Sequence, residues 1–385
     1  MSKQKLLVLG STLPRVPGDG TPGFVLDLAR EEQKRFDVTI LTPYVQGAKQ
    51  KEVLAGCQIV RYKYWPFAHT LADGAILDNL KQSKVMWLQV PFLMLGLLLA
   101  IRKQQPTLIH AHWIIPQGLV AALAAPKAKL LVTTHGGDIY ALNNPVLKSV
   151  KRWVLRRATA ISTVNSQMKQ QLVAWGNKES KVQVLPMGVD LAAAAKLKAA
   201  RKQHSLVVVG RLVEKKGIEF LLEALRLGLA DSSLPKDLTL TIAGDGPIRK
   251  ELEQKAVGLP VKFLGNQTQA QVRDLFAGSA IAVLPSVTAK SGDQEGLPVT
   301  LLEAAAAGAF VIASDLPGIN EVIRDRETGL LVPQADAKAL LAALQTALSD
   351  QKLVASCQKA LANEVKRFDH AVVGDSYNKL LESLS

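Results

Sequence analysis

Short runs dominated by Val, Ile and Leu alternate along this chain with longer stretches whose apolar residues recur at helical spacing. KLLVLG (5–10), VTILTP (38–43), LIHAHW (108–113), LLVTTHGGD (130–138) and ATAISTVN (158–165) read as strands, and FVLDLAREEQKR after the first of them reads as a helix. The alternation restarts with SLVVVGR (205–211), LTLTIAGDG (238–246), VKFLG (261–265), IAVLPS (281–286) and FVIASD (310–315). Strands that alternate with helices predict parallel sheets covered on both faces. The restart after the Ala- and Lys-rich DLAAAAKLKAARKQHS (190–205) predicts a linker and two doubly wound α/β domains, 1–190 and 191–365. The segment 366–385 reads as a terminal helix, expected to return to the first domain. A length of 385 residues suits two cores better than one.

Residues 85–101, VMWLQVPFLMLGLLLAI, interrupt this regular pattern. Seventeen helical residues span roughly 26 Å, short of a hydrocarbon core of about 30 Å. Pro91 and Gly96 break the run, and the strand at 108–113 must rejoin its sheet soon after it. A spanning helix is therefore disfavoured. A buried domain helix is the first expectation and a partly exposed lipid-facing helix the second.

Composition adds a compartment and an asymmetry. The chain is 48% hydrophobic and 21% charged, the balance of a folded soluble protein. Cys57 and Cys357 lie far apart without metal-ligand spacing, and the N-terminus runs straight into a strand; both point to the cytosol. The net charge of +14 is concentrated: residues 1–190 hold 24 Lys and Arg against 11 Asp and Glu, and the remainder 23 against 22. Such a field suits phosphorylated substrates or anionic lipid. Nucleic acid is a poor match, because aromatic residues make up only 5% of the chain and no basic region with stacking residues appears. Within the basic half, Lys148, Arg152 and Arg156 share one face of a predicted helix in NPVLKSVKRWVLRRA (144–158). Leu147, Val150, Trp153 and Val154 form another face. This basic amphipathic helix is either a solvated face over a packed core or a surface for anionic head groups.

The candidate chemistry centres on DQEGLPVTLLEAAAAG (293–308). Pro298 favours a helix start and Gly308 its end, so Glu295 falls on the preceding loop and Glu303 in the second turn. Long helical side chains lean toward the N-terminus, so both carboxylates can approach one spot beside free N–H groups that favour phosphate. A carboxylate there can accept the two hydroxyls of a ribose. The apolar flanks of Glu303 make a purely solvated role for it costly.

EGLPVTLLE resembles the E-x7-E signature of family-4 retaining glycosyltransferases. Their GT-B fold sets two Rossmann-like doubly wound domains facing across a cleft, with the active site between them. The resemblance implies that Glu303 binds the ribose of a nucleotide sugar, that Glu295 contacts the donor sugar, and that the amides of Gly296 and Leu297 help hold sugar and phosphate. GRLVEKKG (210–217) resembles the family's G-R-x4-K-G element, which places Arg211 and Lys216 on the donor diphosphate, with Lys215 beside them in solvent. Fixed cations there stabilise the leaving group. AGDGPIRKEL (243–252) resembles a G-x-G-P turn near the nucleotide, with Gly244 and Asp245; chain reversal alone would also explain it.

In the first half, TTHGGDIY (133–140) resembles a segment whose histidine lies near the donor sugar, which falls on His135. HAHWIIPQG (110–118) supplies His110 and His112, one expected in the core and His112 expected toward the acceptor. Asn165 lies at a polar loop of the family and can equally cap a helix. The loop GSTLPRVPGDGTPGFVLDLAR (10–30) lacks G-x-G-x-x-G spacing. It resembles the family's glycine-rich loop, which offers Gly20 to the donor, although PGDGTP replaces the usual adjacent glycines. The resemblance implies transfer of a sugar from a UDP- or GDP-sugar to an acceptor hydroxyl with retention, without cofactor or metal. The acceptor is expected to be a lipid-linked saccharide of surface or exopolysaccharide synthesis, met by a cytoplasmic enzyme peripheral to the inner face of the plasma membrane. A nucleotide-sugar epimerase or a phosphorylase on the same scaffold is the alternative, although no cofactor-lysine motif for the latter is found.

Overall fold

The computed structural model describes residues 3–385, apart from 17, 18, 20, 22, 68, 69, 73–75, 77, 78, 81, 82, 142, 198 and 199. Gly20 falls among these, so its expected donor role lies outside the described residues. The chain forms two compact units: residues up to Gly188 with His370–Ser385, and Val189–Asp369.

The first unit is built on β1 (Lys5–Leu9), β2 (Asp37–Pro43), β3 (Lys51–Leu54), β4 (Cys57–Tyr62), β5 (Leu108–His112), β6 (Lys129–Thr133), β7 (Ala160–Thr163) and β8 (Val182–Val184). Their order in the sheet is β3-β4-β2-β1-β5-β6-β7-β8, and every pairing except β3 with β4 is parallel. The central strands are buried along their length, His110, His112, Ser162 and Thr163 included, because helices cover both faces. The β3–β4 hairpin is absent from the sequence expectation. Its edge strand alternates exposed and half-buried residues, and so lacks the apolar run that marks a central strand. The order reverses between β1 and β5, where Leu9 lies opposite Ala111, while His112 lies opposite Thr133 on β6. The loops after β1, β5 and β6 therefore open at one end of the sheet, the place where doubly wound proteins receive ligands.

Right-handed crossovers assign the helices to faces. The helix Phe24–Glu32, between β1 and β2, packs against the terminal helix His370–Glu382. Asn378 Nδ2 donates to the Glu31 carbonyl at 3.1 Å, and Tyr377 Oη donates to the Leu185 carbonyl at 2.8 Å. On the opposite face lie Gln89–Gln104, Leu119–Ala124 and Pro145–Arg157, the second packing against both others.

Gln89–Gln104 departs from the expectation of a buried core helix. With the 3-10 turn Lys84–Leu88 before it, the segment is long and apolar enough to cross a membrane by length and composition, yet only 22% of its most apolar window is buried. Gln89, Leu93, Leu97 and Ile101 form the buried stripe. Pro91 sits in the first turn, where its missing N–H costs nothing. A Cβ at Gly96 would lie 3.0 Å from Tyr64 Cβ, so this glycine lets the helix approach the sheet's edge. Pro145–Arg157 also departs from its expected faces. Lys151 is buried and Trp153 exposed, because the Lys151 ammonium donates inward to the Ala141 carbonyl (2.6 Å) and Asn143 Oδ1 (3.0 Å).

The second unit has β9 (Lys202–Val209), β10 (Thr239–Ala243), β11 (Val261–Gly265), β12 (Ser279–Leu284), β13 (Phe310–Ser314) and β14 (Leu330–Val332), ordered β11-β10-β9-β12-β13-β14 and all parallel. β9 begins at Lys202, inside the stretch expected to be linker. Its first residues extend the sheet through Lys202 opposite Ser279. Period-two alternation divides the strand: Leu206 and Val208 face the cluster with the helices Ile218–Ala230 and Ala337–Ser349, and Val207 faces the one with the helix Val299–Ala306. The order reverses between β9 and β12, so the loops following these two strands define this unit's ligand end.

Candidate functional site

In the second unit the two loops at the reversal point are stitched together. Val287 N donates to the Lys215 carbonyl at 2.8 Å, and Lys290 N donates to Glu214 Oε1 at 3.0 Å. Gly217 makes this approach possible. Its φ is +59°, and a Cβ there would lie 1.9 Å from the Pro285 carbonyl oxygen. Lys215 is not solvated as expected: its ammonium pairs with Asp293 at 3.3 Å. Lys216 pairs with Glu295 at 3.1 Å and folds back over Gly210, whose missing side chain leaves it room.

Burial pushes the Glu295 carboxyl up, but the ammonium groups of Lys216 and Lys215 outweigh it and hold the group below its ordinary value. Burial likewise pushes Lys215 down, and Glu295 and Asp293 more than reverse that. Arg211 follows Gly210 on the same loop, where burial lowers its guanidinium and Asp293 opposes the shift. The site holds several cations whose charge is balanced by loop carboxylates in the free protein. An incoming diphosphate would compete with those carboxylates for the same ammonium groups.

Around this pair the remaining sequence candidates take their places. The helix after the second loop spans Val299–Ala306 with Pro298 as its cap, one residue inside each expected end. Glu303 is half-buried in its second turn. Gly296 is buried and Leu297 half-buried on the approach to the helix. Gly244, at the end of β10, has φ +134° and lies against the Gly210 backbone; the Leu212 N–H donates to the Asp245 carbonyl at 2.9 Å. The Asp245 side chain accepts from Gly246 N (2.7 Å) and pairs with Arg249 (3.2 Å), so it shapes the turn.

In the first unit, His110 and His112 both point into the interior. Residues two apart on a strand share a face, so alternation cannot separate them. Both are fully buried, with ring centroids 4.4 Å apart. His110 Nδ1 lies 2.6 Å from Glu32 Oε1, and its Nε2 lies 2.7 Å from Thr133 Oγ1. His112 Nδ1 lies 3.0 Å from His135 Nε2, so His112 reaches the loop end of the sheet through His135. Burial and then His110 push His135 down to about 3; burial, His110 and His135 push His112 well down. Both shifts favour neutral imidazoles, each with its own N–H, and the 3.0 Å contact requires one of the two facing nitrogens to donate and the other to accept.

Asp138 fixes the His135 loop by accepting from His135 N (3.0 Å) and Ile114 N (3.2 Å). Trp113 and Phe24, not singled out from sequence, pack on His135 with centroids 4.8 and 5.1 Å away. Trp113 has φ +75°, rare for a bulky side chain and invisible to any apolar pattern. Asn165 caps Ser166–Ala174, accepting from Met168 N at 2.8 Å. Among the described residues, no group of three or more His, Cys, Asp or Glu is placed to hold a metal ion.

Comparison with known proteins extends this geometry. The model for glycosyltransferase family 4 matches residues 19–193, and that for group 1 glycosyl transferases matches 203–350. The phosphatidyl-myo-inositol mannosyltransferase of Mycobacterium leprae is 30% identical over 272 residues, covering 69% of this chain and 70% of its own length. The chain belongs to glycosyltransferase family 4. A further relative of this glycosyltransferase is the putative colanic acid biosynthesis glycosyltransferase WcaL of Escherichia coli, 29% identical over 284 residues, or 70% of this chain and 69% of that one. The Anabaena Alr3699/HepE structure, solved with UDP and glucose, superposes with a TM-score of 0.75 at 18% identity, covering 99% of this chain and 100% of that one. The glycosyltransferase thus has the GT-B architecture expected from its E-x7-E segment, with two Rossmann-like units.

Proposed function

We propose that this glycosyltransferase binds a UDP- or GDP-sugar on its second unit and transfers the sugar, with retention, to a hydroxyl of a lipid-linked saccharide. The reading rests chiefly on one observation: Lys215 and Lys216, held by Asp293 and Glu295, converge with Arg211 where the second sheet reverses. Lys216 and Arg211 take the diphosphate, Glu303 accepts the ribose hydroxyls, and the Gly296 and Leu297 amides steady sugar and phosphate. Glu295, released from Lys216 by the diphosphate, turns to the sugar hydroxyls, and Gly244 lets the β10 turn sit close to the nucleotide. The neutral imidazole of His135 faces a sugar hydroxyl, and Asn165 orders the loop nearest the acceptor.

In the transfer, the bond between anomeric carbon and phosphate oxygen breaks as the acceptor oxygen attacks on the same face. The acceptor proton passes to the departing phosphate oxygen, so no side-chain nucleophile is needed. Negative charge grows on the diphosphate, and preorganised cations lower that barrier. UDP in the similar Anabaena structure supports the donor class. The phosphatidyl-myo-inositol mannosyltransferase relative supports a lipid acceptor and the colanic acid relative a surface polysaccharide. In this reading the acceptor is met at the inner face of the plasma membrane, with Lys148, Arg152 and Arg156 toward anionic head groups.

A panel of nucleotide sugars with extracted lipid acceptors tests the reading: nucleoside diphosphate is expected only when donor and acceptor are both present. Glu303→Ala removes two hydrogen bonds to a charged acceptor, so the nucleoside diphosphate Kd is expected to rise about 10²-fold, roughly 3 kcal/mol. Unchanged affinity in calorimetry would rule out the ribose role.

A further inference from the structure

The helix Gln89–Gln104 carries a second apolar stripe that the fold does not use. Its buried stripe repeats every four residues through Gln89, Leu93, Leu97 and Ile101. Leu88, Phe92, Leu95 and Leu99 follow the same helical spacing on the outward side and are 64%, 50%, 53% and 57% exposed. Val85 and Trp87 extend the stripe at one end, and Phe67 is exposed in the aromatic group it forms with Trp65, which in turn packs on Phe92. A helix that packs on one side of a soluble unit needs one such stripe and a polar back. A contiguous exposed patch of large side chains marks an interaction surface.

Charge identifies the occupant. Residues 84–157 contain ten Lys and Arg and a single acid, Asp138, which is engaged by backbone amides. Lys84 stands exposed at one end of the ridge, and Arg102 and Lys103 at the other. The exposed Leu123 lies on the neighbouring helix, and beyond it comes the helix bearing Lys148, Arg152 and Arg156, all on one face of the sheet. Among the described residues, an apolar ridge with tryptophan at its edge and Lys84, Arg102 and Lys103 exposed at its ends matches the boundary between acyl chains and anionic head groups.

We propose that the outward stripe Leu88–Phe92–Leu95–Leu99, with Trp87, inserts into the head-group region of an anionic bilayer. It lies along the surface and docks the first unit there. This extends the lipid-borne acceptor reading and rests on it for its purpose, although not for its evidence. The basic helix supplies long-range attraction, which salt screens; the ridge supplies the short-range hold, which salt does not weaken.

Co-sedimentation of the full chain with phosphatidylglycerol–phosphatidylcholine vesicles at 0.1 and 0.5 M salt tests this. Wild type is expected to remain bound at 0.5 M salt, and the variant L88Q/F92Q/L95Q/L99Q to lose at least tenfold in affinity there. The triple change K148Q/R152Q/R156Q is expected to act mainly at low salt. Brominated acyl chains are expected to quench fluorescence in wild type and clearly less in W87F, a readout that needs no multiple variant. Equal binding of wild type and the quadruple variant at 0.5 M salt, or quenching unchanged in W87F, overturns the proposal. So does light scattering that shows a wild-type dimer made monomeric by the quadruple change, which would assign the ridge to a second copy. Transfer to a detergent-solubilised lipid acceptor separates the two readings: its absence despite vesicle insertion refutes the acceptor, and its presence without ridge-dependent binding refutes the ridge.

Discussion

Lys216→Ala is expected to lower kcat about 10²–10³-fold, the usual effect of removing one preorganised charge partner from a transition state. Nucleotide affinity should fall less, because Arg211 and the loop amides remain. The expectation follows from the place of Lys216, pinned under Gly210 at 3.1 Å from Glu295, where its position is fixed before any ligand arrives. Lys216→Arg should not rescue fully: Gly210 leaves room for a slim stem, and a planar guanidinium presents its charge differently.

The substitution also leaves Glu295 buried with Lys215 as the remaining ammonium that favours its charge, at an expected cost of roughly 1–3 kcal/mol. The sign of the pH effect follows from the pairing. Glu295 sits below its ordinary 4.5 in the folded chain, so its contribution is present at neutral pH and lost as pH falls through the carboxylate range. Lys216→Ala should therefore flatten the acid limb of the stability profile. Single-turnover rates at saturating donor and urea midpoints between pH 4 and 7 measure the two effects. A kcat within threefold of wild type would remove Lys216 from the chemistry.

Gly244→Ala is expected to be the more destructive change to structure. A methyl group there would lie 1.9 Å from the Gly210 carbonyl oxygen and 2.8 Å from its carbon, at a φ of +134°. These contacts are backbone, which cannot swing aside, so β9 and β10 must part at their ligand ends. The expected loss is about 3 kcal/mol, at the upper end of ordinary single substitutions, and a fall in Tm of roughly 6–12 °C for a unit of this size. Because Arg211 is the next residue after Gly210, nucleotide affinity should fall more than tenfold as well. Gly258→Ala is the matched comparison: its φ is +80° and nothing lies within 4 Å of the added methyl. It should cost only the backbone strain, about 1–2 kcal/mol, and leave nucleotide affinity unchanged. Equal behaviour of the two variants in thermal melts and titrations would show that close approach at Gly244 does not matter.

The alternation of apolar runs and helical spacing was enough to expose two doubly wound units, because central parallel strands are buried on both faces and are rich in Val, Ile, Leu and Ala, with few polar residues among them. The same criterion hid β3, whose edge position gives it exposed residues at every other place. It also misjudged the start of β9, where Lys202 and Gln203 are polar strand residues at an exposed end. The placement of Lys216 and Glu295 on loops and of Glu303 in a second helix turn was legible because each follows from local sequence. The Lys215–Asp293 pair was not, since it joins residues 78 apart whose meeting depends on the sheet order. Nor was the buried set of His110, Glu32 and Thr133, gathered from three separate elements. Trp113 shows the remaining gap: a strained φ at a reversal point leaves no trace in hydropathy. The reverse case is Gln89–Gln104, whose apolar sequence left a buried and a partly exposed helix both open, the first preferred, while Phe92, Leu95 and Leu99 face outward.

The most direct measurement is the position of a nucleoside diphosphate bound to the protein, seen crystallographically. Phosphate oxygens are expected within hydrogen-bond distance of Lys216 Nζ and the Arg211 guanidinium, with the Lys216–Glu295 pair opened and both ribose hydroxyls on the Glu303 carboxylate. A nucleotide bound elsewhere, with Lys216 still paired to Glu295 and Glu303 not touching the ribose, would contradict this assignment.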